Sequence, residues 1–155
     1  MTQLYYIYDL EVYPNIFTFC GKFTNSDNIE MFEISDRRND REALVNWLSY
    51  LKNVNCEMVG YNNLAFDYLI IHELMINPYQ FTYEKAAQMA NQIIVSQNGF
   101  GGFKGIGVDN RIIPQIDMLK VCHFDNANKR TSLKALQFAM RSESVEDLPF
   151  DIRGL

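Results

Sequence analysis

The chain has 155 residues, 48% of them hydrophobic and 21% charged, which is the balance of one folded domain and excludes a disordered segment. Its formal charge of −5 argues against a protein that coats nucleic acid through a broad basic surface, although it leaves room for an acidic site that binds through a cation. No apolar run approaches the ~18 residues of a membrane span, no leader pattern opens the chain, and Cys20, Cys56 and Cys122 form no CxxC pair. These features predict a cytoplasmic protein with free thiols and no structural metal.

Residues 4–8 are aromatic and β-branched, and predict a buried strand ending at Asp9 and Glu11. A second strand is predicted over 16–23 after the turn YPN, and a third over 29–34 after TNSDN. Two short connections in succession imply an antiparallel meander. The period then changes. Ala43, Leu44, Trp47, Leu48 and Leu51 fall at helical spacing, with Asn39 or Asp40 as N-cap. Residues 56–61 (CEMVGY) are almost wholly apolar and predict a central, parallel fourth strand.

Residues 62–77 predict a loop entering a helix that Pro78 ends, and 83–97 a further helix. NGFGGFKGIG over 98–107 holds five of the eight glycines and predicts a loop or hairpin shaped by a ligand, with Phe100 and Phe103 able to stack on bases. It matches neither a P-loop nor a dinucleotide-binding turn. A fifth strand is predicted to begin in 111–120 and a last helix to span 131–140, with Thr131 or Ser132 near its N-cap. The sum is one α/β domain on a mixed sheet. Two basic groups, Arg37, Arg38 and Arg41, and Lys129, Arg130 and Lys134, are expected to be solvated surface.

Asp9 and Glu11 are i and i+2 on a strand, so their side chains share a face and repel unless a cation lies between them. Asp67 falls in the first turns of the helix after the fourth strand, on a face with Leu64, Ile70 and Ile71 that should pack on the sheet. A carboxylate on a core-facing stripe is costly unless it is paired. If the first and fourth strands are neighbours, the three acids converge, and converging carboxylate oxygens suit Mg²⁺ or Mn²⁺. His72 and His123 are expected to be packing or loop residues.

DLE on a first strand, then GYN, then FD after three residues, resembles the first two motifs of DEDD-type 3′–5′ exonucleases. The nearest flavour is the proofreading domain of family B DNA polymerases and its free-standing phage relatives, and IDMLKV and TSLKALQ resemble the strand and helix that follow. The resemblance covers most of the chain, least so over 78–110. It implies an RNase H-like fold and removal of nucleotides from a single-stranded DNA 3′ end, with RNA as a further substrate and a DNA polymerase as a partner. Asp9, Glu11 and Asp67 then match metal-binding catalytic acids of a two-metal site. Asn62, Phe66 and Leu10 match positions near the substrate, the aromatic also placing its helix.

The family's third motif, YxxxD or HxxxxD, is missing. Asn128 stands five positions after His123, and no tyrosine follows Tyr83. Asp117 also ends a strand and is a candidate fourth acid, but the resemblance makes its position structural or peripheral. The expectation is a chain that stops before its last helix and its fourth acid, weakly active or inactive alone, unless Asp117 or Asp151 substitutes. The alternative function is a non-catalytic module that holds a nucleic-acid end or a protein partner on the same fold.

Overall fold

A computed structural model describes residues 2–97, 104–123 and 131–140. Five strands form one sheet in the order β3-β2-β1-β4-β5. β1 (Tyr5–Tyr13), β2 (Ile16–Phe23) and β3 (Glu30–Ser35) are the antiparallel meander; β4 (Glu57–Gly60) and β5 (Gln115–Asp117) run parallel to β1. The helices are α1 (Arg41–Asn53), α2 (Asp67–Ile76), α3 (Tyr83–Gln97), α4 (Met118–Cys122) and α5 (Leu133–Ala139).

Strand alternation sorts the sheet into two faces. Tyr6, Tyr8, Leu10, Phe17, Phe19 and Ile34 are buried, and with Leu44, Leu48 and Leu51 of α1 and Ile70, Ile71 and Leu74 of α2 they build the core. Tyr5, Ile7, Asp9, Glu11 and Tyr13 occupy the other face of β1 and are exposed. The core is so aromatic that Gly21 is obligatory: a Cβ there would lie 2.4 Å from the Tyr6 ring and 2.7 Å from the Ile7 carbonyl. α2 is apolar on every side, with Asp67, Tyr68, Leu69, Ile70 and Ile71 all buried, as befits a helix enclosed within a domain.

Three elements differ from the sequence-based expectation. β1 does not end before the acids but runs on to Tyr13, because β2 keeps pairing with it as far as Tyr13 opposite Ile16. What ends early is the other side: β4 pairs with β1 only from Tyr5 to Ile7. Asp9 and Glu11 therefore lie where β1 outruns its parallel neighbour. The fifth strand begins late, at Gln115, because the Ile112 and Ile113 N–H groups donate to the Tyr68 hydroxyl at 2.8 and 3.3 Å instead of to a strand, and Pro114 has no N–H to donate. It ends at Asp117, whose side chain accepts the Leu119 N–H at 3.0 Å and turns the chain into α4.

The caps also resolve. Asp40 holds the N-cap position of α1, yet its carboxylate turns back to accept the Glu33 N–H at 2.9 Å. Ser132, not Thr131, caps α5 by accepting the Ala135 N–H at 3.2 Å. Phe100, Phe103, Asn128, Lys129, Arg130 and Asp151, for which the sequence raised expectations, lie outside the described residues.

Candidate active site

The site forms where β1 extends beyond β4. With β4 gone, the Leu10 N–H has no strand partner on that side and faces the carboxyl of Asp67, the first residue of α2. The helix N-terminus suits an acid, and the Asp67 carboxyl also meets its own backbone N–H. Asp67 is only 8% exposed. Burial first, and then the negative charge of Asp9, push its carboxyl up to about 7. Asp9, open to solvent, is also raised, by partial desolvation and by Glu11. Of the Asp9–Asp67 pair, Asp67 is the deeper.

No ion pair among the described residues answers this charge. Among the described residues the ion pairs are Lys22–Asp27, Arg37–Glu33, Arg38–Asp40 and Lys85–Glu73, and none of them engages Asp9, Glu11 or Asp67. The predicted convergence of three carboxylates is met in part. Asp9 interacts with both Asp67 and Glu11, while Glu11 accepts the hydroxyl of exposed Tyr13. Residues i and i+2 of a strand stand about 6.6 Å apart, so Glu11 reaches the pair through Asp9. Among the described residues no three His, Cys, Asp or Glu side chains stand close enough to hold a metal ion as they are placed. A buried, unpaired carboxylate beside a second one is nonetheless a donor set that fits a hard cation, which would relieve the repulsion.

The turn joining β4 to α2 sets where Asp67 stands. Asn62 takes a left-handed conformation with φ 60°, and residues 63–65 form a 3-10 turn. Its side chain makes no capping bond; its backbone N–H donates to Asp117 Oδ1 at 2.8 Å. Phe66 is half-buried against the core at the α2 N-cap, and its carbonyl accepts the Leu69 N–H at 3.1 Å. Leu64 belongs to the 3-10 turn and not to the helical face expected to carry Asp67. The Leu10 side chain, 6% exposed, is in the core, because alternation turns it away from Asp9 and Glu11, and what Leu10 brings to the site is the backbone N–H that faces Asp67.

Sequence reasoning passed over the polar groups beneath the site. Asn63 is fully buried, and its amide donates to Gln115 Oε1 at 2.9 Å and to the Tyr8 hydroxyl at 3.4 Å. Tyr8 donates to the same Gln115 oxygen at 2.9 Å. Gly60 makes room: a Cβ there would stand 2.7 Å from the Asn63 Cβ. The signal was the second asparagine of GYNN, one residue past the motif. His72 packs edge-on against Tyr68 as a helix residue, and burial lowers its imidazole.

This order of strands, three antiparallel and then parallel with helices flanking the sheet, is consistent with an RNase H-like fold. No protein-family model and no curated protein matches the chain. Among solved structures, it is similar to the family B DNA polymerase from the hyperthermophilic archaeon Pyrobaculum calidifontis, with a TM-score of 0.51 and 17% identity over 90% of this chain. The matched part is 18% of that polymerase, and the likeness is one of fold. No described helix is long and apolar enough to cross a membrane.

Proposed function

We propose that the chain is a divalent-metal-dependent 3′–5′ exonuclease domain of the DEDD type, acting on single-stranded DNA ends in proofreading or processing. The observation that carries this is the buried Asp67 beside Asp9, with no ion pair to either acid among the described residues. Its support is the DLE–GYN–FD pattern, and a fold shared with a protein named as a DNA polymerase. Asp9, Asp67 and Glu11 would hold Mg²⁺ or Mn²⁺, which when bound supplies an activated water and charge stabilisation at a phosphodiester.

The chain's own residues position that charge. The Leu10 N–H and the helix start hold the Asp67 carboxylate in one orientation. The β1 extension presents Asp9 and Glu11 on the open face of the sheet, where a strand end has access. Asn62, at the head of the α2 turn, and Phe66, at the α2 N-cap, flank Asp67 in sequence and are the proposed substrate neighbours. A DNA polymerase is the proposed partner. One observation favours the second reading, a non-catalytic binding module: no described trio of ligands is assembled.

Digestion of a 5′-labelled single strand with Mn²⁺ separates the two readings. The exonuclease shortens the strand from its 3′ end as a ladder, and Asp67→Ala slows this at least about a hundredfold, the scale of losing one charge-stabilising group. An intact strand with both proteins overturns the catalytic reading and leaves the binding module.

A further inference from the structure

β5 is three residues long, yet its two outer residues hold the whole turn that precedes Asp67. Gln115 and Asp117 are i and i+2, so their side chains share one face. Gln115 takes the Asn63 amide. Asp117 Oδ1 accepts the Asn62 N–H at 2.8 Å and Oδ2 the Leu64 N–H at 3.2 Å, while Oδ1 also accepts Leu119 N–H at 3.0 Å. Asp117 is 4% exposed, and no ion pair satisfies it among the described residues. Its three donors are backbone N–H groups from two separate segments, the left-handed Asn62 turn and the first turn of α4. A left-handed asparagine followed by a single 3-10 turn has few bonds of its own to fix it.

We infer that Asp117 is the positioning residue of the site: by collecting the backbone N–H groups of Asn62 and Leu64, it sets the turn that delivers Asp67 to Asp9 and the Leu10 N–H. The inference rests on the exonuclease reading for its consequence in catalysis, but not for its geometry. In this role Asp117 acts through the backbone of the turn that carries Asp67. Asparagine in its place has one acceptor oxygen and would aim an N–H₂ group at N–H donors, which frees part of the turn. Gln115 contributes the second fixing point, through Asn63.

The test compares wild type, Asp117→Asn and Leu51→Ala, the last a core truncation in α1 away from the turn. Each is measured for its thermal midpoint, Mn²⁺ affinity, kcat and KM on a single strand, and the Leu10 amide proton shift by NMR. Asp117→Asn is expected to weaken Mn²⁺ binding and kcat by roughly tenfold or more, as loss of a group that orients a ligand does. KM is expected to stay near wild type, and the Leu10 amide resonance to move because its Asp67 partner has shifted. Leu51→Ala is expected to lower the midpoint while leaving Mn²⁺ affinity, kcat and the Leu10 resonance at wild-type values below that midpoint. An unmoved Leu10 resonance in Asp117→Asn overturns the positioning role, as does an equal displacement in Leu51→Ala. A wild-type protein that neither binds Mn²⁺ nor cleaves overturns the exonuclease reading instead, and the Leu10 resonance still decides the positioning claim.

Discussion

Two buried acids on opposite sides of the sheet meet opposite fates. Glu33, on β3 and 7% exposed, accepts Arg37 Nε at 2.7 Å and Nη2 at 2.8 Å and the Ser35 hydroxyl at 2.6 Å, and these bonds hold its carboxyl down to about 2. Asp67, on α2 and 8% exposed, has backbone N–H groups, Asp9 for a neighbour, and a carboxyl raised to about 7. Glu33 is built to be charged and satisfied. Asp67 is buried beside another acid and has no ion pair among the described residues. Similar accessibility therefore does not set role: Glu33 lies shallow beside Arg37, whereas depth and the charge of Asp9 raise Asp67.

The strongest way to break this contrast is Asp67→Asn, which removes the unpaired charge but keeps the shape. The full shift from 3.8 to about 7 corresponds to about 4 kcal/mol at most. A gain on the order of 2 kcal/mol in stability at pH 8 without metal is expected by denaturant unfolding, together with loss of nuclease activity. The sign follows from linkage. Asp67 is raised in the folded state, so its favourable contribution is present below the unfolded value near 4 and is lost as pH rises through about 7. Mg²⁺ or Mn²⁺ should raise the thermal midpoint of wild type at pH 8 and leave that of Asp67→Asn in place.

Gly60→Ala sharpens the contrast from the backbone side. Its Cβ would meet Asn63 at 2.7 Å and push the turn that carries Asp67, at a cost of about 1–3 kcal/mol. Mn²⁺ affinity is expected to fall with it, measured calorimetrically. The Glu33 region should yield the smaller effect. Arg37→Ala lowers the thermal midpoint near neutral pH and leaves Mn²⁺ affinity unchanged. Because the Glu33 carboxyl is depressed, its contribution is present above pH 4.5 and is lost as pH falls toward 2, so wild type and Arg37→Ala should converge in acid. The two acids thus predict opposite pH slopes in one protein.

The sequence carried the frame of the site well. Alternation around Asp9 and Glu11, the apolar run of β4 and its parallel direction, and the span of α3 were all legible, because each depends on local pattern. What was not legible depends on long-range bonds. The length of β1 is set by β2, the late start of β5 by the Tyr68 hydroxyl, and the burial of Asn63 by Gln115, 52 positions away. Asp117 was recognised as structural, but its three backbone donors come from segments that only the fold brings together. Leu10 was expected near the substrate from the family resemblance, whereas alternation sends its side chain into the core.

The most direct test of the cation-seeking site is the titration of the Asp67 side-chain carboxyl carbon by NMR, with and without Mg²⁺. The account predicts a midpoint near 7 in the metal-free protein, moved clearly downward when Mg²⁺ is added. A midpoint at the ordinary carboxylate value, or one that Mg²⁺ leaves where it was, would contradict it.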